Sequence, residues 1–288
     1  GEVAGGGGRR RGRRAAQAVV DRVAVTVDHG TDVVDGIDDV RGTVSDTRWA
    51  AEGETELVPG VQEYLDDDDD TDEVPADYDP EHPLFARVYD PVMALPERFL
   101  LADHRAHLAE GLSGLVLDIG SGTGAMFPHY PKELTVHAVE PDPHMRERAA
   151  DRAAECETDI ELVETRGERL PYPEDSFDTA IAVFVLCTVQ DLVASLDELA
   201  RVVRPGGELR FLEHVRARGA AGRLHDALAP GWFHVAGGCT LNRRTGDVLT
   251  RDDRFELLEY ERFESGLSRL LPLVRGRLER RRESWLPV

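Results

Sequence analysis

A short apolar run, Leu115–Ile119, is followed at once by three glycines at alternate positions, Gly120, Gly122 and Gly124. An apolar run of this length indicates a strand that is buried on both faces of a parallel sheet. Glycines after such a strand allow backbone amides to approach a ligand closely, and the helix that follows attracts an anionic group with its amino end. Because ligands bind at the carboxyl ends of parallel strands, this segment predicts an α/β fold with a ligand site at Gly120.

Strand and helix patterns alternate throughout the chain after residue 113. The predicted strands are Leu115–Ile119, Leu134–Val139, Ile160–Val163, Phe177–Leu186, Glu208–Glu213, Phe255–Phe263 and, as the last edge strand, Leu270–Leu278. The predicted helices are Phe99–Leu112, a short one before Pro128, Pro143–Glu155, Leu192–Val203 and Thr245–Arg251. This alternation predicts a Rossmann-like α/β fold, with an open, mostly parallel seven-stranded sheet and helices on both faces.

The chain changes in character near residue 76. Residues 1–75 carry 19 acidic residues and 8 arginines, which account for half of the formal net charge of −22. Their isolated valines bury too little surface to offset the entropy of ordering, so we predict an acidic, disordered segment. The alternation in Val23–Val27 fits a strand but shows no partner. Residues 76–112 are predicted to form a helical cap, broken into short pieces by Pro91 and Pro96, and residues 113–288 the ligand-binding domain.

The charge balance restricts the partners and the setting of the protein. Its strong excess of acid disfavours nucleic acid, which needs clustered Lys and Arg. Lys132 is the only lysine among 34 basic residues, a composition typical of halophilic proteins, although a GC-rich genome would also favour Arg over Lys. No apolar run reaches the length of a membrane span. These features predict a cytoplasmic protein and leave open a peripheral contact with membranes.

The three cysteines give no spacing signal for a disulfide or a metal site. Cys156, Cys187 and Cys239 are far apart in the chain, and this favours a reducing compartment and no metal. Neither Cys187 nor Cys239 has a recognisable His or Asp partner in the sequence. Both are therefore predicted to act as small hydrophobic residues instead of nucleophiles.

An acidic residue about 20 positions after the glycines limits the ligand further. Glu140 closes the second predicted strand, where its carboxylate can accept hydrogen bonds from ribose hydroxyls. The pattern Gly120-x-Gly122-x-x-Ala125 with Glu140 also satisfies a dinucleotide fingerprint. At this point both a dinucleotide and a different nucleoside cofactor fit.

Three further features separate the two cofactors. Asp118 lies two residues before the first glycine, where a dinucleotide site requires no carboxylate. The segments Gly167–Asp178 and Leu199–Gly207 lead into the fourth and fifth strands. Over residues 80–288 the chain resembles the class I S-adenosylmethionine-dependent methyltransferases, and the resemblance implies their fold, S-adenosylmethionine as cofactor, and transfer of its methyl group.

Within that superfamily the chain is most similar to the methyltransferase-like-seven group of thiol methyltransferases. The stretches that carry the likeness are Val185–Val189, Glu213–Val215, Gly238–Leu241 and Trp232. Quinone-biosynthesis methyltransferases share the linker Leu170–Asp178. The resemblance implies a small, hydrophobic acceptor such as a thiol, a quinol or a lipid. The chain differs from the thiol group in having its acidic segment in the place of an amino-terminal membrane helix.

The resemblance also implies which residues bind the cofactor: Asp118, Gly120, Ser121, Gly122, Thr123, Gly124, Glu140, Pro141, Asp142, Gly167, Glu168, Val185, Leu186 and Cys187. Asp118 would meet the ammonium of the methionine portion, and Glu140 both ribose hydroxyls. Many relatives have an Asp that binds the adenine amine where this chain has Arg166, which cannot accept a hydrogen bond. The backbone of Gly167 or the side chain of Glu168 would replace it.

Two residues are candidates for acid–base work on the acceptor. His214 follows the fifth predicted strand at the ligand edge of the sheet and titrates near neutrality. Tyr89 lies on the cap and could close over the cofactor. The acceptor pocket is predicted between the cap and an insertion at residues 224–240. Two alternatives to the methyltransferase remain: a non-catalytic S-adenosylmethionine-binding protein and an NAD(P)-dependent oxidoreductase.

Overall fold

The computed structural model describes residues 25–27, 83–264 and 269–282. Its strands are β1 (Val25–Val27), β2 (Leu115–Ile119), β3 (Thr135–Val139), β4 (Asp159–Val163), β5 (Phe177–Val183), β6 (Val203–His214), β7 (Phe255–Phe263) and β8 (Leu273–Arg280). Its α-helices are α1 (Pro83–Pro96), α2 (Ala102–Ala109), α3 (Pro143–Ala154), α4 (Leu192–Val202), α5 (Gly219–Val235) and α6 (Thr245–Arg251). None of the helices in this part of the chain has the length and apolarity needed to cross a membrane.

The strands form one sheet in the order β1-β7-β8-β6-β5-β2-β3-β4. All neighbouring strands are parallel except β8, which runs antiparallel to both β6 and β7. Successive residues of β2 pack on opposite faces, since Val116 and Leu117 belong to different apolar clusters. The predicted Rossmann-like open sheet with helices on both faces is confirmed, and seven of its strands lie within residues 115–280.

The prediction that the last strand lies at the edge of the sheet is wrong. β8 is inserted between β6 and β7; it pairs with β7 from Leu273 to Arg280 and with β6 from Leu273 to Glu279. The edge is instead taken by Val25–Val27, which pairs parallel with Tyr260–Arg262 and so supplies the partner that the sequence did not reveal. Residues 1–24 and 28–75, for which disorder is predicted, lie outside the described residues, as do residues 76–82 of the predicted cap.

Proline does not divide the cap as predicted. α1 continues through Pro91 to Pro96, where a π-helical turn, Glu97–Leu101, leads into α2. Proline removes the hydrogen bond to the carbonyl four residues earlier. Both Pro91 and Arg87 are exposed, so water can satisfy that carbonyl and the helix tolerates the loss.

Two other predicted elements differ at the ligand edge. The segment before Pro128 is a 3₁₀ turn, Phe127–His129, that contains the proline. β5 ends at Val183 and does not reach Leu186, because Phe184 has a φ of 56° that no strand accommodates. The predicted site residues Val185, Leu186 and Cys187 therefore lie in a turn.

A buried arginine joins the cap to the sheet. Arg210 of β6 is 4% exposed, and its Nη1 donates to the backbone carbonyls of Leu108 and Glu110 at 2.8 and 2.6 Å. Its Nε donates to Glu208 at 2.8 Å. These bonds hold the carboxyl end of α2 against β6, and they fix the base of the cap there.

Replacing Arg210 with leucine should lower the free energy of unfolding by about 2 kcal/mol, because two carbonyls lose their donor in a buried position. Urea unfolding measures the change. Arg223→Leu, on the exposed face of α5, is the matched control and should change stability by less than about 0.5 kcal/mol. Equal losses in the two variants would show that the contact of Arg210 with the cap contributes nothing.

Candidate active site

The glycine loop after β2 lies at the carboxyl end of the sheet, as the sequence predicts. Gly120 has a φ of +62°, and a Cβ there would lie 2.1 Å from the Cγ2 of Val185. Gly122 has a φ of +56° and open space where a side chain would lie. Between them, Ser121 donates its backbone N–H to Val139 at 2.9 Å. Its Oγ is buried without a hydrogen-bond partner among the described residues, and a bound ligand or water would supply that partner.

Glu140 points to the glycine loop. Its Oε2 accepts from the N–H of Gly122 at 2.8 Å, and its Oε1 accepts from the N–H of Asp142 at 2.9 Å. Burial raises the pKa of Glu140 to about 7, although these two bonds oppose the rise. The carboxylate is thus fixed beside the loop and is costly to ionise without a further donor.

Asp118 is the second buried carboxylate at this edge. It is 1% exposed and accepts a hydrogen bond from the Tyr130 hydroxyl at 2.8 Å. Burial raises its pKa to about 7, whereas the bond from Tyr130 and the charge of Arg105 lower it. Arg105 is itself 3% exposed and donates to Glu97 at 3.0 and 2.6 Å. A positive ligand group beside Asp118 would favour its ionised form.

The cap contacts the glycine loop through a polar network. Thr123 donates its hydroxyl to Asp90 of α1 at 2.7 Å, and Arg152 donates to the carbonyl of Thr123 at 2.8 Å. Tyr89, next to Asp90, is half-buried, and burial raises its pKa to about 12. Its hydroxyl therefore keeps its proton at neutral pH and can serve as a donor.

A third buried carboxylate organises the turn after β5. Glu213, fully buried at the end of β6, accepts the backbone N–H groups of Val185, Leu186 and Cys187 at 3.0, 2.9 and 3.3 Å. Burial raises its pKa to about 7 against the effect of these bonds. The strained backbone of Phe184 precedes the turn. Glu213 thus satisfies three amides that the end of the strand leaves without partners.

His214 lies beside the two cysteines. Its Nε2 is 3.2 Å from the carbonyl oxygen of Leu241, and its Nδ1 is 3.7 Å from the sulfur of Cys239. Burial lowers the pKa of His214, but Cys239 and Glu213 together raise it by more. The pKa of His214 therefore lies above its ordinary value. The prediction that Cys239 has no histidine partner is wrong, because the loop after α5 returns to the end of β6.

Four other predicted site residues lie around Glu140 and the end of β4. Arg146 donates to the carbonyls of Glu140 and Pro141 at 2.8 and 3.2 Å, and Asp142 caps α3 by accepting from the N–H of His144 at 2.8 Å. Gly167 packs against Ile119 and Ser195. Glu168 accepts from the N–H of Gln190 at 2.6 Å, so its carboxylate anchors the segment before α4. All four lie at the edge of the sheet where the sequence predicts the ligand.

Several residues of the site had no functional signal in the sequence. Tyr130, Asp90, Arg105 and Arg243 approach it from distant segments, and each contact depends on the tertiary fold. Glu213 belonged to a motif quoted for the resemblance, but its role as an acceptor for the turn was not predicted. The signal that could have revealed it is a carboxylate at the end of an otherwise apolar strand.

Comparisons with known proteins agree with this geometry. Residues 117–211 match the family model described as a methyltransferase domain. The chain is 30% identical over 192 residues to human thiol S-methyltransferase TMT1A, covering 64% of this chain and 77% of that protein. It is 35% identical over 162 residues to human thiol S-methyltransferase TMT1B, covering 53% of this chain and 65% of that one.

A solved structure shares the fold. The SAM-dependent methyltransferase from Thermotoga maritima superposes with a TM-score of 0.50 at 24% identity, covering 69% of this chain and 99% of that one. The likeness to TMT1A extends over more than three quarters of that protein, and the methyltransferase-domain model spans the glycine loop. The chain therefore belongs to the class I S-adenosylmethionine-dependent methyltransferases.

Proposed function

We propose that the segments around the glycine loop bind S-adenosylmethionine through a cradle formed by Asp118, Gly120–Gly124 and Glu140. The hydrogen bond from Gly122 to Glu140 carries this proposal, since it aims a carboxylate at the loop. The buried, unpartnered hydroxyl of Ser121 fits a ligand at the same place. Asp118, buried with a raised pKa, fits a cationic group such as the ammonium of the methionine portion.

The remaining site residues would surround the nucleoside. Pro141 and Asp142 follow Glu140 directly and would form the wall of the adenosine pocket. Gly167 and Glu168 lie at the end of β4 and would approach the adenine. Val185, Leu186 and Cys187 would lie under the cofactor, because the side chain of Val185 already packs against Gly120.

Replacing Glu140 with glutamine should weaken binding of S-adenosylhomocysteine by about tenfold or more. The reason is that a hydrogen bond to a charged acceptor contributes about 1.5–3 kcal/mol. Wild-type affinity should also fall as the pH drops below about 7, because ribose hydroxyls select the ionised carboxylate. The variant should lose this part of the pH dependence and keep the part due to Asp118. Isothermal titration calorimetry at several pH values measures both effects.

Glu157→Gln is the matched control, since this glutamate is 81% exposed and remote from the loop. It should bind S-adenosylhomocysteine like the wild type at every pH. Unchanged affinity and pH dependence in Glu140→Gln would refute the cradle, and tight binding of NADH in the same titration would support the oxidoreductase alternative.

We further propose that the methyl acceptor is the thiol of a small, hydrophobic molecule. The support comes from the names of the two human relatives, both thiol S-methyltransferases, and from the apolar surface near the site. S-adenosylmethionine supplies a methyl group made electrophilic by its sulfonium. The chain must align the acceptor sulfur with that group and exclude water, which is mainly a positioning contribution. Phe85 of α1 contacts Gly237 beyond α5, and this contact fits a roof made by the two elements.

The acid–base roles differ between the two predicted residues. Tyr89, with a pKa of about 12, is suited to donate a hydrogen bond to the acceptor and not to remove its proton. His214 has a raised pKa but is 4% exposed, so the acceptor reaches it only from inside the pocket. We propose that Tyr89 positions the acceptor and that the sulfur of the acceptor lies near His214.

Apolar side chains on the outside of the roof fit a hydrophobic acceptor and a peripheral contact with membranes. Val92 and Leu95 of α1 are 66% and 69% exposed, and Val235 at the end of α5 is 70% exposed. Exposed apolar groups of this kind favour contact with lipophilic ligands or membranes.

Incubation with labelled S-adenosylmethionine and matched thiols should show the highest kcat/KM for apolar alkyl and aryl thiols. Charged thiols such as glutathione should react at least about tenfold more slowly, because the apolar entrance does not compensate for desolvating their charges. The corresponding alcohols serve as controls and should not react. Exclusive turnover of a charged, water-soluble acceptor would overturn the acceptor proposal, and cofactor binding without any transfer across the panel would favour the non-catalytic alternative.

We also propose that the protein works in a salt-rich, reducing cytoplasm. Its support is the net charge of −22 and the three free thiols. Repulsion among acidic groups destabilises the compact state unless salt screens it.

The thermal midpoint of unfolding should therefore rise as KCl increases from about 0.1 to 1 M, over which the Debye length falls from about 10 to 3 Å. Differential scanning calorimetry measures this shift. A midpoint that is constant or falls over this range would contradict the salt-rich setting.

A further inference from the structure

Three soft or borderline ligand groups meet at the carboxyl ends of β5 and β6. Cys187 comes from the turn after β5, His214 from the end of β6, and Cys239 from the loop after α5. One ligand atom of each lies within 4.8 Å of the other two. The residues are 27 and 25 positions apart in the chain, so no spacing motif shows them.

The distances match those of ligands around one metal ion. The two sulfurs are 3.6 Å apart, and the Nδ1 of His214 is 3.7 Å from the sulfur of Cys239. A tetrahedral zinc ion with Zn–S bonds of about 2.3 Å and a Zn–N bond of about 2.0 Å separates two sulfurs by about 3.8 Å and a sulfur from a nitrogen by about 3.6 Å. The two sulfurs therefore already have the required spacing. The sulfur of Cys239 is also 3.9 Å from the Nε2 of His214, so the imidazole must rotate to direct its Nδ1 at the shared ion.

The surrounding contacts hold the segments that carry the three groups in place. The Nε2 of His214 faces the carbonyl of Leu241, which leaves Nδ1 available, and this is the usual orientation of a metal-bound histidine. Arg243, 2% exposed, donates to the carbonyls of Leu186 and Val189 at 2.9 and 2.8 Å and so fixes the turn that carries Cys187. The N–H of Thr240 donates to the carbonyl of Cys187 at 2.8 Å, joining the segments of the two cysteines.

We propose that Cys187, His214 and Cys239 form a binding site for one thiophilic divalent metal ion, with zinc as the preferred ion and the fourth coordination position open. Two thiolates and an imidazole select zinc over magnesium or calcium. Three protein ligands with one open position are typical of catalytic zinc sites, whereas structural sites have four. The spacing of the three cysteines predicts no metal, and the proposal replaces that expectation.

The open position is suited to the acceptor, a step that rests on the proposed function. The sulfur of a thiol would donate an electron pair to the ion, and its proton would pass to solvent. The ion would then hold the acceptor as a thiolate, beside the turn that packs against the glycine loop. No separate base is required for this step, because the metal lowers the pKa of the bound thiol.

A disulfide between Cys187 and Cys239 is the competing use of the two sulfurs. It would leave the position of His214 unexplained, since a disulfide needs no third ligand. Oxidation would also form one bond of about 2.0 Å between the sulfurs, which removes both as ligands. The two uses therefore give opposite results when metal is added.

The test uses the full chain, reduced and freed of metal with a chelator. Titration with Co²⁺ should give one equivalent of bound ion, with a thiolate-to-metal charge-transfer band and the strong visible absorption of tetrahedral cobalt. Zn²⁺ should displace it with the same stoichiometry. Cys187→Ser, Cys239→Ser and His214→Gln should each weaken Zn²⁺ binding by about tenfold or more.

Cys156→Ser is the matched control, because this cysteine bonds to its own helix at the carbonyl of Arg152 and lies apart from the cluster. It should bind Co²⁺ and Zn²⁺ like the wild type. Circular dichroism and urea unfolding establish that each variant is folded, so that a loss of metal is not a loss of structure.

Different outcomes test the metal site and its use in binding the acceptor. No stoichiometric binding, binding that survives all three substitutions, or a disulfide that forms equally with and without Zn²⁺ would overturn the metal site. A shift of the Co²⁺ spectrum on adding an apolar thiol would support acceptor binding at the metal. An unchanged spectrum, or equal methylation by the metal-free chain, would overturn that use. Metal binding without any thiol methylation would leave the site valid and refute the proposed function alone.

Discussion

The hydrogen bond from the N–H of Gly122 to Glu140 is the interaction on which the candidate site depends. It ties the end of β3 to the glycine loop after β2 and holds a buried carboxylate where water cannot stabilise its charge. Asp118, at the end of β2, is buried in the same way. Such groups are expensive to keep unless a ligand supplies donors or positive charge. These two carboxylates therefore support the proposal of a ligand that carries hydroxyl groups and a cation.

A buried carboxylate also organises the turn after β5, the strand next to β2. Glu213 is fully buried and holds the turn that places Cys187 beside His214 and, through the loop after α5, Cys239. The cofactor cradle and the proposed metal site are therefore neighbours, because Val185 in that turn also packs against Gly120. A substitution at Glu213 would disturb both sites, since it would leave three backbone amides without an acceptor.

Much of the fold was readable because its signals are local. The apolar runs and glycines of residues 115–183 predict buried strands and their turns, and the resemblance based on Asp118, Glu140 and the linkers predicted the family correctly. The cap was less readable. Pro91 is tolerated because its lost hydrogen-bond partner is exposed, and exposure is a property of packing and not of sequence.

By itself the sequence determined an open α/β sheet and the methyltransferase family, and it predicted the edge of the sheet, the glycine loop and the acidic residue that would hold the cofactor. Only the tertiary structure decided that β8 inserts between β6 and β7, that Thr123 contacts Asp90 of the cap, and that Cys239 reaches His214. The reason is physical: periodicity and turn residues act over a few positions, whereas these contacts join segments that become neighbours only when the whole sheet and its cap pack together.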